Sequence, residues 1–243
     1  MELHIVDHRP EYAPPPFLEP PQAGYLYIAA AVAPPAGPPF VRRNARRAGL
    51  LARLKDYAAE LARLDPVERA TVYRAVLIPP VGRRTPHPAR YDVAVLVETA
   101  SGGVLSAVRN SPTCERMLAD LAATAGDVHV MAARCVRSLG DVDKGREGLF
   151  LFNHFVAEDT EAATQLWEHL AGWYVAETGL DNSTLLAPIG DENDYVFVNH
   201  ARWDKSLPRL AVEQFSKPSF RSYVRANLRA NRTVAMPIFY RLA

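Results

Sequence analysis

Two asparagine-histidine pairs stand inside otherwise apolar runs, GLFLFNHFVAED at residues 148–159 and DYVFVNHARWD at 194–204. These residue types suit one kind of chemistry. A histidine titrates near neutrality and can take a proton from a phenol or an enol. Asparagine amides and an indole N–H can donate to the oxyanion left behind. Asn153, His154, Asn199, His200 and Trp203 are therefore the candidate catalytic groups, and Phe155, Tyr195 and Phe197 the candidate lining of a substrate pocket. The competing reading is structural, with these Asn and His side chains bonded to one another across a sheet.

The elements that would position them follow from periodicity. Strands are expected at 24–32, 70–78, 91–99 and 127–136, with helices over 40–64 and 101–125, the second broken at Ser111-Pro112 because proline disrupts a helix interior. The pattern then recurs. Strands are expected at 148–157, 183–189, 195–203 and 234–242. One helix spans 160–178, opened by Asp159 and closed by Gly179, and another 206–229, broken at Lys217-Pro218. RYDVAVLVET matches DYVFVNHARW, SPTCERMLADL matches KPSFRSYVRANL and HVMAARCVR matches VAMPIFYRL, at offsets of 104 to 106. GYLYIAAAV against GLFLFNHFV pairs Asn153 and His154 with Ala29 and Ala30, while Asn199 and His200 fall on Val95 and Leu96. Polar groups in one half only point to a single pocket, in the second half.

Composition narrows the classes. Of 243 residues, 49% are apolar and 23% charged, and the net charge of +1 gives no global attraction to nucleic acid or an anionic membrane. Arg42, Arg43, Arg46, Arg47, Arg53 and Lys55 crowd one helix without aromatic platforms, and read as a solvated face. Cys114 and Cys135 have no metal or redox spacing, so buried thiols in a reducing, cytoplasmic setting are expected. No apolar run is long enough to span a membrane. There is no metal cluster, phosphate loop, nucleophile elbow or dinucleotide fingerprint. Six prolines within residues 1–22 predict an extended surface arm, with docking to a proline-binding partner as an alternative.

Strand-helix-strand-strand-helix-strand is the ferredoxin-like unit, with strands in the spatial order four, one, three, two. The fold class is thus α+β: an arm (1–22), a first ferredoxin-like repeat (23–137), a linker (138–147) and a second repeat carrying the pocket (148–243), with the sheets packed face to face as an intrachain α/β barrel. This arrangement resembles the dimeric α/β-barrel superfamily in its fused, tandem form. The resemblance rests on element order and on the broken second helix of each repeat. It implies a small-molecule ligand and no nucleic-acid or membrane partner. It also implies activities such as cofactor-independent monooxygenation of aromatic or polyketide-like substrates, or haem chemistry; a non-catalytic binding barrel is equally compatible. Haem-degrading members use an Asn, a Trp and a helix-borne His. No histidine lies between Lys205 and Arg232, so that arrangement is incomplete here and no cofactor is expected. A tandem chain supplies its own pairing, which leaves monomer and homodimer both open.

Side chains alternate along strands. Asn153 and Phe155 are grouped with Tyr195, Phe197, Asn199 and Trp203, whereas His154 is grouped with His200. Because a helix-covered face tolerates unpaired polar groups poorly, the asparagine set is expected to face the barrel interior. The histidine set facing inward is the alternative.

Overall fold

The computed structural model describes residues 2–82, 85–190 and 193–243. Strands and helices follow in the order β1 (Gly24–Ala31), α1 (Ala45–Leu61), β2 (Val67–Leu77), β3 (Val93–Thr99), α2 (Leu105–Arg109), α3 (Pro112–Thr124), β4 (Asp127–Gly140), β5 (Leu149–Val156), α4 (Thr160–Thr178), β6 (Ser183–Pro188), β7 (Phe197–Trp203), α5 (Leu207–Phe215), α6 (Ala226–Ala230) and β8 (Val234–Leu242). A π-helical turn, Phe220–Arg225, runs directly into α6.

Local chemistry sets the ends of the helices. Asn44, Ser111 and Asp159 each accept a hydrogen bond from a first-turn backbone N–H, and Gly179 closes α4 in the left-handed conformation at φ 63°. Helix α1 starts later than periodicity alone suggests. The chain through Pro38 and Pro39 bends, and Phe40 bridges to Leu77.

The strands close in the order β1-β3-β2-β8-β5-β7-β6-β4. Each repeat thus has the four-one-three-two order, and the repeats are joined edge to edge by the pairs β2·β8 and β4·β6. Closure explains why β4 continues past Val136 to Gly140: Arg137 and Ser138 pair with Leu185 and Thr184 across the seam. The expected linker also packs. Val142 belongs to the interior core, and the Lys144 amine lies 3.0 Å from Glu98.

Side chains fill the interior, among them Tyr25, Tyr27, Tyr73, Phe150, Phe152 and Tyr240. Helices α1, α2 and α3 cover the outer face of the first repeat, while α4, α5 and the 220–230 helix cover the second. Both cysteines are buried and free. No described helix is long and apolar enough to cross a membrane.

The facing of the polar strands is opposite to the expectation. His154 and His200 point into the barrel beside Phe150, Phe152 and Val198, and Asn153 and Asn199 lie on the outer face, beneath the helices. The register also corrects the alignment of the two halves. Asn153 pairs with Asn199 across β5 and β7 just as Ile28 pairs with Val95 across β1 and β3. The counterpart of Asn153 is therefore Ile28, and that of His154 is Ala29, one residue from the sequence alignment.

Candidate functional site

Inside the barrel, tyrosines satisfy the histidines. His154 Nδ1 is 3.3 Å from the Met236 carbonyl and His200 Nδ1 is 3.0 Å from that of Leu151. A carbonyl only accepts, so both rings carry their proton on Nδ1. Each Nε2 then accepts a phenolic O–H, from Tyr27 at 2.9 Å and Tyr73 at 3.3 Å. Burial pushes both imidazoles down to about 3. The lone pair a base would use is already occupied, and the first repeat supplies the tyrosines that occupy it. Tyr195 is also interior, bonded to the Tyr91 hydroxyl at 2.9 Å and to the His87 carbonyl at 3.2 Å.

Across the sheet, β5 and β7 form the floor of a cavity of about 40 Å³, roofed by Trp167, Leu170, Ala171 and Tyr174 of α4 and by Val224 and Leu228 of the 220–230 helix. Leu151, Asn153 and Phe155 of β5 and Asn199 and Trp203 of β7 line it, with Leu180 and Ala235 at its margins. Asn153 and Asn199 are direct cross-strand partners, which places their Cβ atoms about 5 Å apart. Asn153 Oδ1 is buried with no hydrogen-bond partner among the described residues. Asn199 Oδ1 accepts from Ser183 Oγ at 2.5 Å, which fixes the amide with its N–H donors left over.

The remaining polar atoms are largely committed. The Trp203 indole N–H donates to Thr178 Oγ1 at 3.2 Å, so it holds the strand to α4 instead of facing a ligand. The Tyr174 hydroxyl accepts from Gln214 at 3.2 Å, and burial raises its phenol above the ordinary range. Of the eight residues singled out from sequence, Asn153, Phe155, Asn199 and Trp203 meet at this cavity. Phe197 packs against Phe155 in a tilted arrangement, ring centroids 4.7 Å apart, whereas His154, His200 and Tyr195 lie on the far side of the sheet. Sequence reasoning missed the roof. Trp167, Leu170 and Tyr174 were legible as the apolar face of α4, but nothing in the sequence shows that a void lies below them.

Comparison of the whole chain with solved structures finds the same architecture. An anthrone oxidase-like protein superimposes with a TM-score of 0.66 at 13% identity, covering 94% of each chain. The fold is that of the fused, tandem dimeric α/β barrels. A candidate monooxygenase from Fusobacterium nucleatum covers 90% of this chain and 91% of its own, with a TM-score of 0.55 at 8% identity. One from Lactobacillus acidophilus covers 90% and 94%, with a TM-score of 0.50 at 9% identity. No protein-family model and no curated protein matches the sequence. At these identities the likeness to other tandem barrels is one of fold.

Proposed function

We propose that the cavity beside Asn153 and Asn199 binds a flat, mainly apolar aromatic molecule bearing a phenolic or enolic oxygen, and that the protein acts on it as a cofactor-independent monooxygenase. The observation that carries this reading is the facing asparagine pair, which puts an unpartnered acceptor and free N–H donors on an otherwise apolar wall. The overall likeness to an anthrone oxidase-like protein supports the same substrate class. With the roof helices parted, an aromatic body would lie between Phe155, Trp167 and Leu228 with its oxygen at the two amides. As that oxygen loses its proton, the amide N–H bonds shorten and strengthen, stabilising the anion.

The lining residues include no histidine or carboxylate, so the substrate gives its proton to solvent water before the roof closes over it. The resulting carbanion reacts with molecular oxygen: a ring CH2 becomes C=O and the second oxygen atom leaves as water. No haem is expected in this reading: the lining offers no imidazole or thiolate, and its one phenol, Tyr174, accepts a hydrogen bond from Gln214. Every lining residue of the cavity comes from this one chain.

The lack of a base in the lining favours a second reading, in which the same cavity binds its ligand without turnover. Oxygen uptake with a panel of anthrone-type phenols separates the two. Turnover in the wild type that falls roughly 100-fold in Asn153→Leu is expected, the usual effect of removing an oxyanion donor. Binding without oxygen uptake selects the non-catalytic reading, and binding unchanged in Asn153→Leu removes the site altogether.

A further inference from the structure

The proline-rich segment 2–18 forms only a 3-10 turn, Pro10–Tyr12, and a single bridge from Leu18 to Ser138, yet its backbone is held. Asn231 Oδ1 accepts the His4 N–H at 2.8 Å and its Nδ2 donates to the His4 carbonyl at 2.7 Å. Asn227 does the same for Val6, at 2.6 and 3.0 Å. Two amides four residues apart on a helix are separated by about 6 Å, close to the two-residue repeat of an extended chain. The segment then crosses to α4. Tyr12 is buried against Leu170, Trp173, Tyr223 and Val224, and its hydroxyl donates to Glu177 at 2.6 Å. The crossing point is Gly172, where a Cβ would lie 2.5 Å from the Tyr12 carbonyl oxygen and closer still to that of Ala13. Phe17 finally packs on Trp167 at 5.5 Å.

Leu170, Trp167 and Val224 thus carry this segment on one side and the cavity on the other. A void of about 40 Å³ holds a few waters at most, whereas ligand sites run from about 300 Å³ upward. Admitting an aromatic ligand requires α4 and the 220–230 helix to part, and the segment ties those two helices together from outside. The roof helix has its weak point in the same place. It contains the π-helical turn Phe220–Arg225, and a proline, Pro218, separates it from α5.

We propose that residues 2–18 form a releasable strap that holds the cavity shut, and that ligand enters through the population of molecules in which the strap has lifted from Gly172, Asn227 and Asn231. This rests on the binding reading given above. The rate of entry is then set by strap release.

The test follows binding of the tricyclic phenol alizarin by stopped-flow fluorescence in the full chain. Gly172→Ala places a methyl under the strap while giving α4 a better helix former, and Asn231→Ala removes one clamp without touching the cavity. Both are expected to raise the association rate about 10-fold, equivalent to about 1.4 kcal/mol in the opening equilibrium. Both should also speed hydrogen exchange at the His4 and Val6 amides, with far-UV circular dichroism unchanged. Leu228→Trp, which fills the cavity, should abolish binding. Unchanged association rates in both strap variants, with Leu228→Trp still blocking, overturn the strap and leave the site standing. Failure of the wild type to bind, or binding indifferent to Leu228→Trp, overturns the site and the strap with it.

Discussion

Substituting either barrel histidine by glutamine tests whether His154 and His200 are structural. A free histidine titrates near 6.5, and burial lowers these two to about 3. Between those values the unfolded chain takes up protons that the folded chain refuses. The stability due to each neutral ring is therefore fully present above about pH 6.5 and is lost progressively as pH falls toward 3. At pH 5, about 1.5 below the free value, the loss is about 2 kcal/mol per ring, or about 4 kcal/mol for the pair. That is a large part of the stability of an ordinary domain. His129, which burial also lowers, adds to the loss in the same direction. Glutamine retains a donor and an acceptor but does not titrate. Urea unfolding at pH 7.5 and pH 5 should show the wild type losing about 4 kcal/mol or more, with His154→Gln and His200→Gln each recovering about 2 kcal/mol of that difference. Identical pH dependence in all three proteins would refute the burial argument. Loss of turnover in His200→Gln with stability intact would restore that ring to the chemistry.

Other perturbations separate scaffold from site. Asp92, fully buried, accepts from the Val32 and Ala33 N–H groups and from Arg47 Nη1 at 2.7 Å. Asp92→Ala strands the buried guanidinium and should cost about 3–5 kcal/mol, read as a fall in midpoint on denaturant unfolding. Trp203→Phe loses the bond to Thr178 and should lower stability by about 1–2 kcal/mol while leaving ligand affinity within a few-fold; a selective loss of affinity would mean the indole faces the ligand. Titration with haemin should leave the Soret band of free haemin unshifted, and a shift abolished by Leu228→Trp would place haem in the cavity.

The repeat made the fold legible, because a strand-helix-strand-strand-helix-strand order stated twice leaves few ways to cover both sheet faces. Helix ends were legible where one residue decides them, as at Asp159 and Gly179. The facing of β5 and β7 was not, for a definite reason. Polarity alone places the asparagines inside only if the barrel interior is open and the helix-covered face dry. In the molecule the interior is packed, and tyrosines distant in sequence, Tyr27 and Tyr73, meet the histidines there. Alternating Tyr25 and Tyr27 in β1 were the available signal, since phenols two residues apart share a face that has to provide partners for their hydroxyls. The cavity depends on how far two helices stand from a sheet, which no strand pattern encodes.

In the proposed function, ligand meets the outer face of β5 and β7. Side-chain amide NMR of selectively labelled asparagines, during titration with an anthrone-type phenol, tests it most directly. The Nδ2–H resonances of Asn153 and Asn199 should shift together and saturably while the His154 and His200 ring resonances stay in place. Shifts in the two imidazoles with the asparagine amides unmoved would put the ligand inside the barrel and contradict it.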